Sequence, residues 1–468
     1  MKYSLLLTNG RIIDPHNNID MIGDIGLIGK EIAEIGTDLD SSRAEKVIDV
    51  TDKWIIPGVI DPHVHVSSWI GGPRGFKMMA AEGVISALDM AGPPSSVFDT
   101  IQKYGSGMNI ACLDTFFMDT GGKEDINLSD NQILKKIDNA VEQGALGIKI
   151  LGGHYPLPPE ITRKAIRFAS EKGIYVAFHA GTTDHGSQLE GLVEAVELTD
   201  GNPVHIAHIN SYCRGVVKTP LLEVVDALEL LNGALNVWCE SYLSAFNGTA
   251  GKCVIGKVLS SVTRRCCRMG GFTDDEKGLG ESIRAGFTHV VRLQGEENIL
   301  QTGSDGYDYW KEQKTDITLC FPVNLSEVQF SLAKMKNPKG NFTVDALCTD
   351  GGGIPRNTMV RQGLNMLHFG AMTPFDFVKK TSTNAAAMLG FINKGHLSPG
   401  ADGDITVIDP KQGRAYMGIS LGKIIMINGI VVGSSGTVIT TEKGMESVKG
   451  FGFDVTIVNT REALANKA

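Results

Sequence analysis

The sequence has no long apolar run, no cluster of basic residues and no Cys-x-x-Cys pair. No stretch approaches the roughly 20 apolar residues of a membrane-spanning helix, and the N-terminal segment has too few apolar residues for the core of a signal peptide. A formal net charge of -9 without any basic run disfavours a nucleic-acid backbone as partner. The eight cysteines are scattered, which is typical of a reducing compartment. We therefore expect a cytoplasmic protein with a small-molecule substrate and with neither a nucleic-acid nor a membrane partner.

The 468 residues are 42% hydrophobic and 21% charged, an ordinary balance for a globular protein. Apolar, strand-like runs alternate with charged, helix-prone segments, and this alternation predicts a parallel sheet. The predicted strands lie at 54–60, 84–90, 110–116, 146–151, 174–179, 203–208, 234–239 and 342–350. Eight strands close a (β/α)8 barrel of the TIM type, whereas an open, doubly wound sheet is the structural alternative.

Polar residues at the carboxyl ends of these strands favour the barrel, because active sites of such barrels gather on that face. Lys149, His179 and His208 recur at intervals of 30 and 29 residues, close to one strand–helix unit each. The polar residues at or near the carboxyl ends of the predicted strands are His63, His65, Lys149, His179, His208 and Asp350.

The pair His63 and His65 closes the run V-I-D-P-H-V-H-V at 59–66. Side chains at positions i and i+2 of a strand point to the same face. Both imidazoles can therefore bind one divalent ion at about 2 Å. Two solvated strand histidines are the alternative interpretation.

The two ends of the chain differ in pattern from the barrel. Residues 1–53 and 396–468 carry short alternating strands with hairpin signals, which predict one β-sandwich domain built from both ends, with a C-terminal tail. The barrel would then cover residues 54–395. Within it, segment 240–341 is too long for an ordinary barrel loop and is expected to form a lid or an insertion.

Eight motifs along nearly the whole chain resemble, in order, those of the amidohydrolase superfamily. Within it, the chain is most similar to the cyclic-amide hydrolases, namely hydantoinase, dihydropyrimidinase, dihydroorotase and allantoinase. The motifs are P-G-V-I-D-P-H-V-H at 57–65, A-L-D-M-A-G-P at 87–93, G-A-L-G-I-K-I at 144–150, F-H-A-G at 178–181, H-I-A-H-I-N-S at 205–211, C-T-D-G at 348–351, T-S-T-N-A-A at 381–386 and L-S-P-G-A-D-G-D-I at 397–405.

The resemblance implies two divalent cations as cofactors, zinc by first choice, with manganese or cobalt as substitutes. The H-x-H pair and Asp350 would bind the more buried ion, His179 and His208 would bind the second, and a carboxylated Lys149 would bridge both. A lysine that only extends its amine from the strand end is the alternative. Of the two histidines in H-I-A-H, His208 is favoured as the ligand, and His205 is expected to be structural.

The mechanism implied by the resemblance is attack of a metal-bridging hydroxide on an amide carbonyl. Asp350 would carry the proton to the leaving nitrogen. Asp305, in T-G-S-D-G-Y, is the competing aspartate. It is expected in the lid, because Asp350 stands 31 residues before Thr381, at the start of the T-S-T-N-A-A segment that follows the last barrel strand in this family.

Four further residues are candidates for substrate contacts. His154 or Tyr155 would donate to the developing oxyanion. Arg74, in the glycine-rich loop after the first strand, would hold a substrate carboxylate, with a surface arginine as the alternative. Asn210 stands where a serine is common in the family and would contact the substrate through its side chain or backbone.

The function implied is hydrolysis of a C–N bond in a cyclic amide or imide of the hydantoin, dihydropyrimidine or dihydroorotate kind. Hydrolysis of linear N-acyl amino acids or isopeptides, as by D-aminoacylase or isoaspartyl dipeptidase, is the alternative among enzymes. A non-catalytic scaffold related to dihydropyrimidinase is the alternative from another class. A homo-oligomer, dimer or tetramer, is expected.

Overall fold

The computed structural model describes residues 2–68, 70, 74–116 and 128–465. The chain begins with strands of an outer sheet: β1 (Leu5–Asp14), β2 (Ile19–Ile28), β3 (Glu31–Gly36), β4 (Val47–Asp49) and β5 (Trp54–Pro57). β1 pairs antiparallel with β2, and parallel with β4 and β5. Their apolar side chains share one core with strands from the C-terminal part of the chain.

Strands and helices then alternate, as the sequence pattern predicts. They are β6 (Val59–His65), α1 (Gly75–Ala81), β7 (Val84–Asp89), α2 (Pro94–Tyr104), β8 (Ser106–Thr115), α3 (Asp130–Glu142), β9 (Gly147–Leu151), α4 (Pro159–Glu171), β10 (Tyr175–His179), α5 (Leu189–Leu198), β11 (Val204–Ile206), α6 (Pro220–Gly233) and β12 (Val237–Tyr242). Each of these strands pairs in parallel with the next.

An insertion, residues 247–321, follows β12. It contains β13 (Asn247–Ala250), β14 (Cys253–Val254), β15 (Lys257–Val258), α7 (Ser261–Met269), α8 (Glu276–Arg284), β16 (His289–Gln294), β17 (Glu297–Gln301), α9 (Gly303–Glu312) and β18 (Thr318–Phe321). Four of its strands form a sheet in the order β13-β18-β16-β17, and Leu279, Trp310 and Phe321 lie in a core of its own. The segment falls within the predicted 240–341, and movement as a lid stays a prediction.

The chain then returns to the barrel through α10 (Ser326–Lys334), β19 (Ala346–Cys348), β20 (Gly351–Gly352), α11 (Met359–His368), α12 (Pro374–Val378), a π-helical turn (Lys379–Thr383) and α13 (Asn384–Leu389). β19 pairs in parallel with β12, and β20 pairs in parallel with β6. Segment 346–352 therefore closes the ring as its eighth strand. This closure confirms the (β/α)8 barrel and excludes the open sheet.

The predicted strand 54–60 is wrong as a single strand. β5 pairs with the outer sheet, whereas β6, the first barrel strand, starts at Val59. The chain changes sheets at Gly58, whose amide donates to the carbonyl of Asp404 at 2.8 Å. The sequence gives no sign of this change, because the residues are apolar and buried both in the part that joins the outer sheet and in the part that joins the barrel. The division into domains at residues 53 and 395 stays a prediction.

The last part of the chain divides between the two sheets. β21 (Ile405–Asp409), β22 (Arg414–Ser420), β23 (Lys423–Ile427) and β24 (Ile430–Val431) extend the outer sheet from β5. They are followed by β25 (Ser435–Thr440), α14 (Met445–Gly450), β26 (Asp454–Ile457) and α15 (Thr460–Ala465). β25 pairs with β8 of the barrel, so this portion of 396–468 does not extend the outer sheet.

Among the helices of the described residues, none has the length and apolar character to cross a membrane. The cytoplasmic location and the dimeric or tetrameric assembly stay predictions.

Candidate metal centre and active site

The barrel brings all six predicted metal ligands to the wall of one cavity of about 100 Å³. His65 and His179 end β6 and β10, His63 and Lys149 lie within β6 and β9, and His208 and Asp350 follow β11 and β19 by two residues. Each is at least nine-tenths buried. The arrangement follows from parallel strands in a ring, which place their carboxyl ends at one mouth.

His63, His65 and Asp350 converge on one point of the cavity. Asp350 Oδ1 lies 2.9 Å from His65 Nε2 and 3.4 Å from His63 Nε2. On its other side, His63 Nδ1 lies 2.7 Å from Glu240 Oε1. Because a carboxylate only accepts, this contact places the proton of His63 on Nδ1 and leaves Nε2 as an acceptor towards the cavity.

His179 and His208 form the other side of the cavity, with ring centroids 4.4 Å apart. The His208 ring stacks on that of His63 at 5.1 Å. His179 Nε2 lies 2.8 Å from Ser187 Oγ. His208 has φ 35° and Asp350 has φ 49°. Left-handed backbone at residues other than glycine costs of order 1–3 kcal/mol and is concentrated at functional sites.

Lys149 is 1% exposed, and its Nζ contacts the thioether sulfur of Met90 at 3.1 Å. Burial lowers the pKa of Lys149 to about 8, against the opposing effect of Glu240 and Asp350. A less basic amine has a larger neutral fraction, and the neutral form is the one that reacts with carbon dioxide to give a carbamate. The surroundings of Lys149 therefore suit the predicted carboxylation.

Asp350 also contacts Arg356, which the sequence did not single out. Arg356 Nη2 lies 2.6 Å from Asp350 Oδ2, and its Nε donates to the backbone carbonyl of Asp350 at 2.5 Å. Burial alone would raise the pKa of Asp350, but Arg356 and the neighbouring histidines outweigh it, and the net pKa lies well below the ordinary value. Asp350 is thus an anion in this setting.

Four histidines of the cavity, His63, His154, His179 and His208, have lowered pKa values and are neutral. Burial lowers the pKa of His63 to about 3 and that of His154 to about 4, and it holds the pKa of His179 and His208 well below the ordinary value. Neutral imidazole is the form that binds metals.

The side chains fit a divalent metal ion. One ligand atom from each of His63, His208 and Asp350 lies within 4.8 Å of the others. Within the described part of the chain, Nδ1 of His65 and Nδ1 of His208 are buried without a hydrogen-bond partner. Imidazole nitrogen and carboxylate oxygen are the ligands that zinc, manganese and cobalt share.

The predicted substrate residues fall into two groups. His154 and Tyr155 line the cavity; the His154 ring lies 5.0 Å from that of His179, and Tyr155 is 54% exposed. Arg74 and Asn210 do not lie on the described cavity wall. The Arg74 guanidinium lies 5.2 Å from the Tyr104 ring, and Asn210 Oδ1 accepts from the amide of Tyr242 at 3.1 Å. Their substrate roles stay predictions that these positions do not support.

Two competing residues lie where the sequence analysis expects them. His205 is fully buried, with its Nδ1 3.0 Å from the hydroxyl of Tyr175, below the cavity. Asp305 lies in the first turn of α9 in the insertion and is exposed.

Sequence reasoning missed Glu240, Arg356 and the cavity-lining strand β13. Glu240 had a signal, because it directly follows the predicted strand 234–239 at the catalytic end of the barrel. Arg356 had none, because only the fold of the loop after β20 brings it back to Asp350. The contribution of β13 depends on how the insertion packs, which local sequence does not encode.

The comparisons with known proteins agree with this site. The model of the family described as "Amidohydrolase family" matches residues 54–444. An allantoinase of Deinococcus radiodurans is 29% identical over 204 residues, which are 40% of this chain and 43% of that protein. A dihydroorotase of Geobacter metallireducens is 22% identical over 445 residues, covering 87% of this chain and 90% of that protein.

Two solved structures show the same fold. One is a D-aminoacylase with a binuclear metal center, with a TM-score of 0.67 and 18% identity, covering 93% of this chain and 99% of that one. The other is a D-hydantoinase, with a TM-score of 0.62 and 16% identity, covering 94% and 98%. The family match and the curated relatives identify an enzyme that hydrolyses C–N bonds other than peptide bonds. The chain belongs to the amidohydrolase family.

Proposed function

We propose that this enzyme opens a cyclic amide or imide at a centre of two divalent cations, most favourably zinc. The observation that carries the proposal is the convergence of the six predicted ligands on one buried cavity. His63, His65 and Asp350 would hold one ion, His179 and His208 the other, with carboxylated Lys149 between them. The pair would polarise the amide carbonyl and activate water as nucleophile near neutral pH.

In this proposal Asp350 would move the proton. Its Oδ1 faces His63 and His65, where the ion would be held, while Arg356 fixes Oδ2. A carboxylate held in this way can take a proton from water and return it to the leaving nitrogen. His154 and Tyr155, on the same wall, are placed to donate to the oxygen of the former carbonyl.

The size of the cavity favours a small substrate. Its volume of about 100 Å³ is below the range of roughly 300–1,000 Å³ typical of sites for larger ligands. A five- or six-membered ring fits this space better than a long acyl chain does. The curated allantoinase and dihydroorotase relatives support a ring substrate as well.

One observation keeps linear N-acyl amino acids as the second candidate. Arg356 lines the cavity, and besides the three N–H groups that meet Asp350 and the carbonyl of Phe246 its guanidinium has two more, enough to receive one oxygen of a substrate carboxylate. Dihydroorotate-like rings and N-acyl amino acids both carry a carboxylate, whereas hydantoin and dihydropyrimidine rings need not carry a carboxylate.

A substrate panel tests the proposal. The zinc-loaded enzyme would be assayed with hydantoins, dihydropyrimidines, dihydroorotate, allantoin and N-acyl-D-amino acids, with product measured by mass. We expect the largest kcat/KM for one of the cyclic compounds. A preference for the N-acyl amino acids would replace the ring by a linear amide, and no hydrolysis of any compound by metal-loaded protein would contradict the proposal.

A further inference from the structure

Glu240 is a carboxylate in the middle of β12 that is completely buried. Burying an ionised carboxylate is costly unless several donors satisfy it. Here the hydrogen-bond donors are a ring nitrogen of His63 and the backbone amide of His208, and a ring nitrogen of His205 lies nearby. Oε1 lies 2.7 Å from His63 Nδ1 and 3.4 Å from His205 Nε2, and Oε2 accepts from the backbone amide of His208. Glu240 therefore touches residues of both proposed metal sites without lining the cavity itself.

The contact with His63 fixes the tautomer of that ring. Since Oε1 accepts the proton on Nδ1, the lone pair of Nε2 faces Asp350 and the cavity. A carboxylate behind a metal-binding imidazole orients the ring and makes its free nitrogen a stronger ligand. Without this acceptor, Nδ1 would be a buried donor with no partner, and the ring could reverse its tautomer.

The contact with His208 holds a strained backbone. His208 follows the end of β11 and adopts φ 35° and ψ 69°, a left-handed conformation that a residue with a β-carbon rarely takes. That conformation turns the imidazole over the cavity, next to the rings of His63 and His179. The charge-assisted hydrogen bond to Oε2 stabilises it.

We infer that Glu240 is a positioning residue that couples the two metal sites, by orienting His63 of one and His208 of the other through its two oxygens. The inference rests on the proposed function for the identity of the ligands. Its distinctive consequence is that loss of the carboxylate weakens the binding of both ions, although Glu240 does not line the cavity.

Glu240→Gln tests this because it keeps the shape of the side chain. The amide retains one accepting oxygen, and its NH2 group faces a donor in place of the other. One of His63 and His208 therefore loses its acceptor, and the other keeps only the weaker acceptor of a neutral amide. We expect both stepwise metal dissociation constants to rise by about 10- to 100-fold, measured by competition of the metal-free protein against a chromophoric chelator.

Two further variants separate a positioning role of Glu240 from a purely structural one. Asp345→Asn removes another buried carboxylate, just before the neighbouring strand β19, that accepts from the amide of Cys239 and does not line the cavity. It should lower the melting temperature without changing metal affinity. Glu240→Asp retains the charge with a shorter reach, and should recover part of the affinity lost in Glu240→Gln.

A measurement on the wild-type protein tests the inference without depending on the folding of any variant. Histidine-selective ¹⁵N NMR of the metal-free protein should show an Nδ1–H histidine whose Nε2 resonance shifts with the first equivalent of Zn²⁺. If the zinc-responsive histidines all carry their proton on Nε2, the inference is wrong.

The outcomes separate the two proposals. Wild-type affinity retained in Glu240→Gln overturns the role of Glu240 and leaves the proposed function standing. A thiolate-to-metal band in the Co²⁺-loaded wild type also overturns it, because Cys348, Glu240 and His63 would then be ligands themselves. A wild-type protein that binds no metal contradicts both proposals.

Discussion

The two halves of the metal centre differ in the partners that hold their ligands. On one side, His63 contacts the carboxylate of Glu240 at 2.7 Å, and Asp350 contacts the guanidinium of Arg356 at 2.6 Å. On the other side, the ring of His179 contacts the neutral hydroxyl of Ser187 at 2.8 Å, and His208 is held by Glu240 through its backbone amide. Charged hydrogen bonds are about twice as strong as neutral ones.

This difference indicates in which half the ligand side chains are already held in position before a metal ion binds. The half around His63 and Asp350 has its ligands held by charged, fully buried partners, so little ordering remains on binding. The half around His179 and His208 would depend more on the proposed bridge from Lys149. We therefore expect two unequal affinities, with the tighter ion at His63, His65 and Asp350.

Lys149→Ala is expected to have the largest effect on the difference between the two halves of the metal centre. Removing the bridge should cost the weaker ion and nearly all activity, while the tighter ion stays, because no contact of His63 or Asp350 is lost. Metal content per chain, measured by elemental analysis, should fall from about two to about one. Normal metal content and activity would mean that Lys149 is only a strand residue.

Lys380→Ala is the matched control for Lys149→Ala. Lys380 is also fully buried, with its pKa lowered by burial to about 8, but its amine donates to the carbonyl of Val344 and does not line the cavity. Its loss should lower the melting temperature and leave the metal content at two.

Asp350→Asn should reduce kcat by roughly 10²- to 10⁴-fold, the usual effect of losing a general acid–base group. The amide keeps the size of the side chain and one oxygen for the metal, but it cannot shuttle the proton. Steady-state kinetics of the metal-saturated protein measure the effect. Asp305→Asn, on the exposed face of the insertion, is the control and should change kcat far less. The reverse pattern would transfer the acid–base role to Asp305.

Ser187→Ala sharpens the comparison on the weaker side. The Ser187 hydroxyl lies at Nε2 of His179 and so directs Nδ1 towards a metal. Loss of a neutral, partly exposed partner should weaken only the second ion, by about 10-fold, at the lower end of the range for such supporting residues. Stepwise metal titration measures this. Equal weakening of both ions would contradict the assignment of His179 to the second ion alone.

Much of the site could be predicted because its determinants are local. A strand that ends in H-V-H, or a lysine in G-I-K-I, puts its side chain at the carboxyl end of a strand whatever the rest of the chain does. The parallel ring then brings these ends together, as the cavity with His63, Lys149 and His208 on its wall shows.

What could not be predicted depends on contacts between distant segments. Arg356 reaches Asp350 only through the fold of its loop, and β25 joins β8 across more than 300 residues of chain. The sequence also gives no sign that the chain changes sheets at Gly58, because Ile56 before it and Ile60 after it are both buried apolar residues. A run of apolar residues predicts that a strand is buried, but it does not predict which sheet the strand joins.

Titration of the metal-free wild-type protein with Zn²⁺ tests the central claim most directly. The account predicts two ions per chain, bound in two resolved steps of unequal affinity, with hydrolytic activity appearing as the sites fill. Intact, folded protein that takes up no more than trace Zn²⁺, Mn²⁺ or Co²⁺ would contradict it.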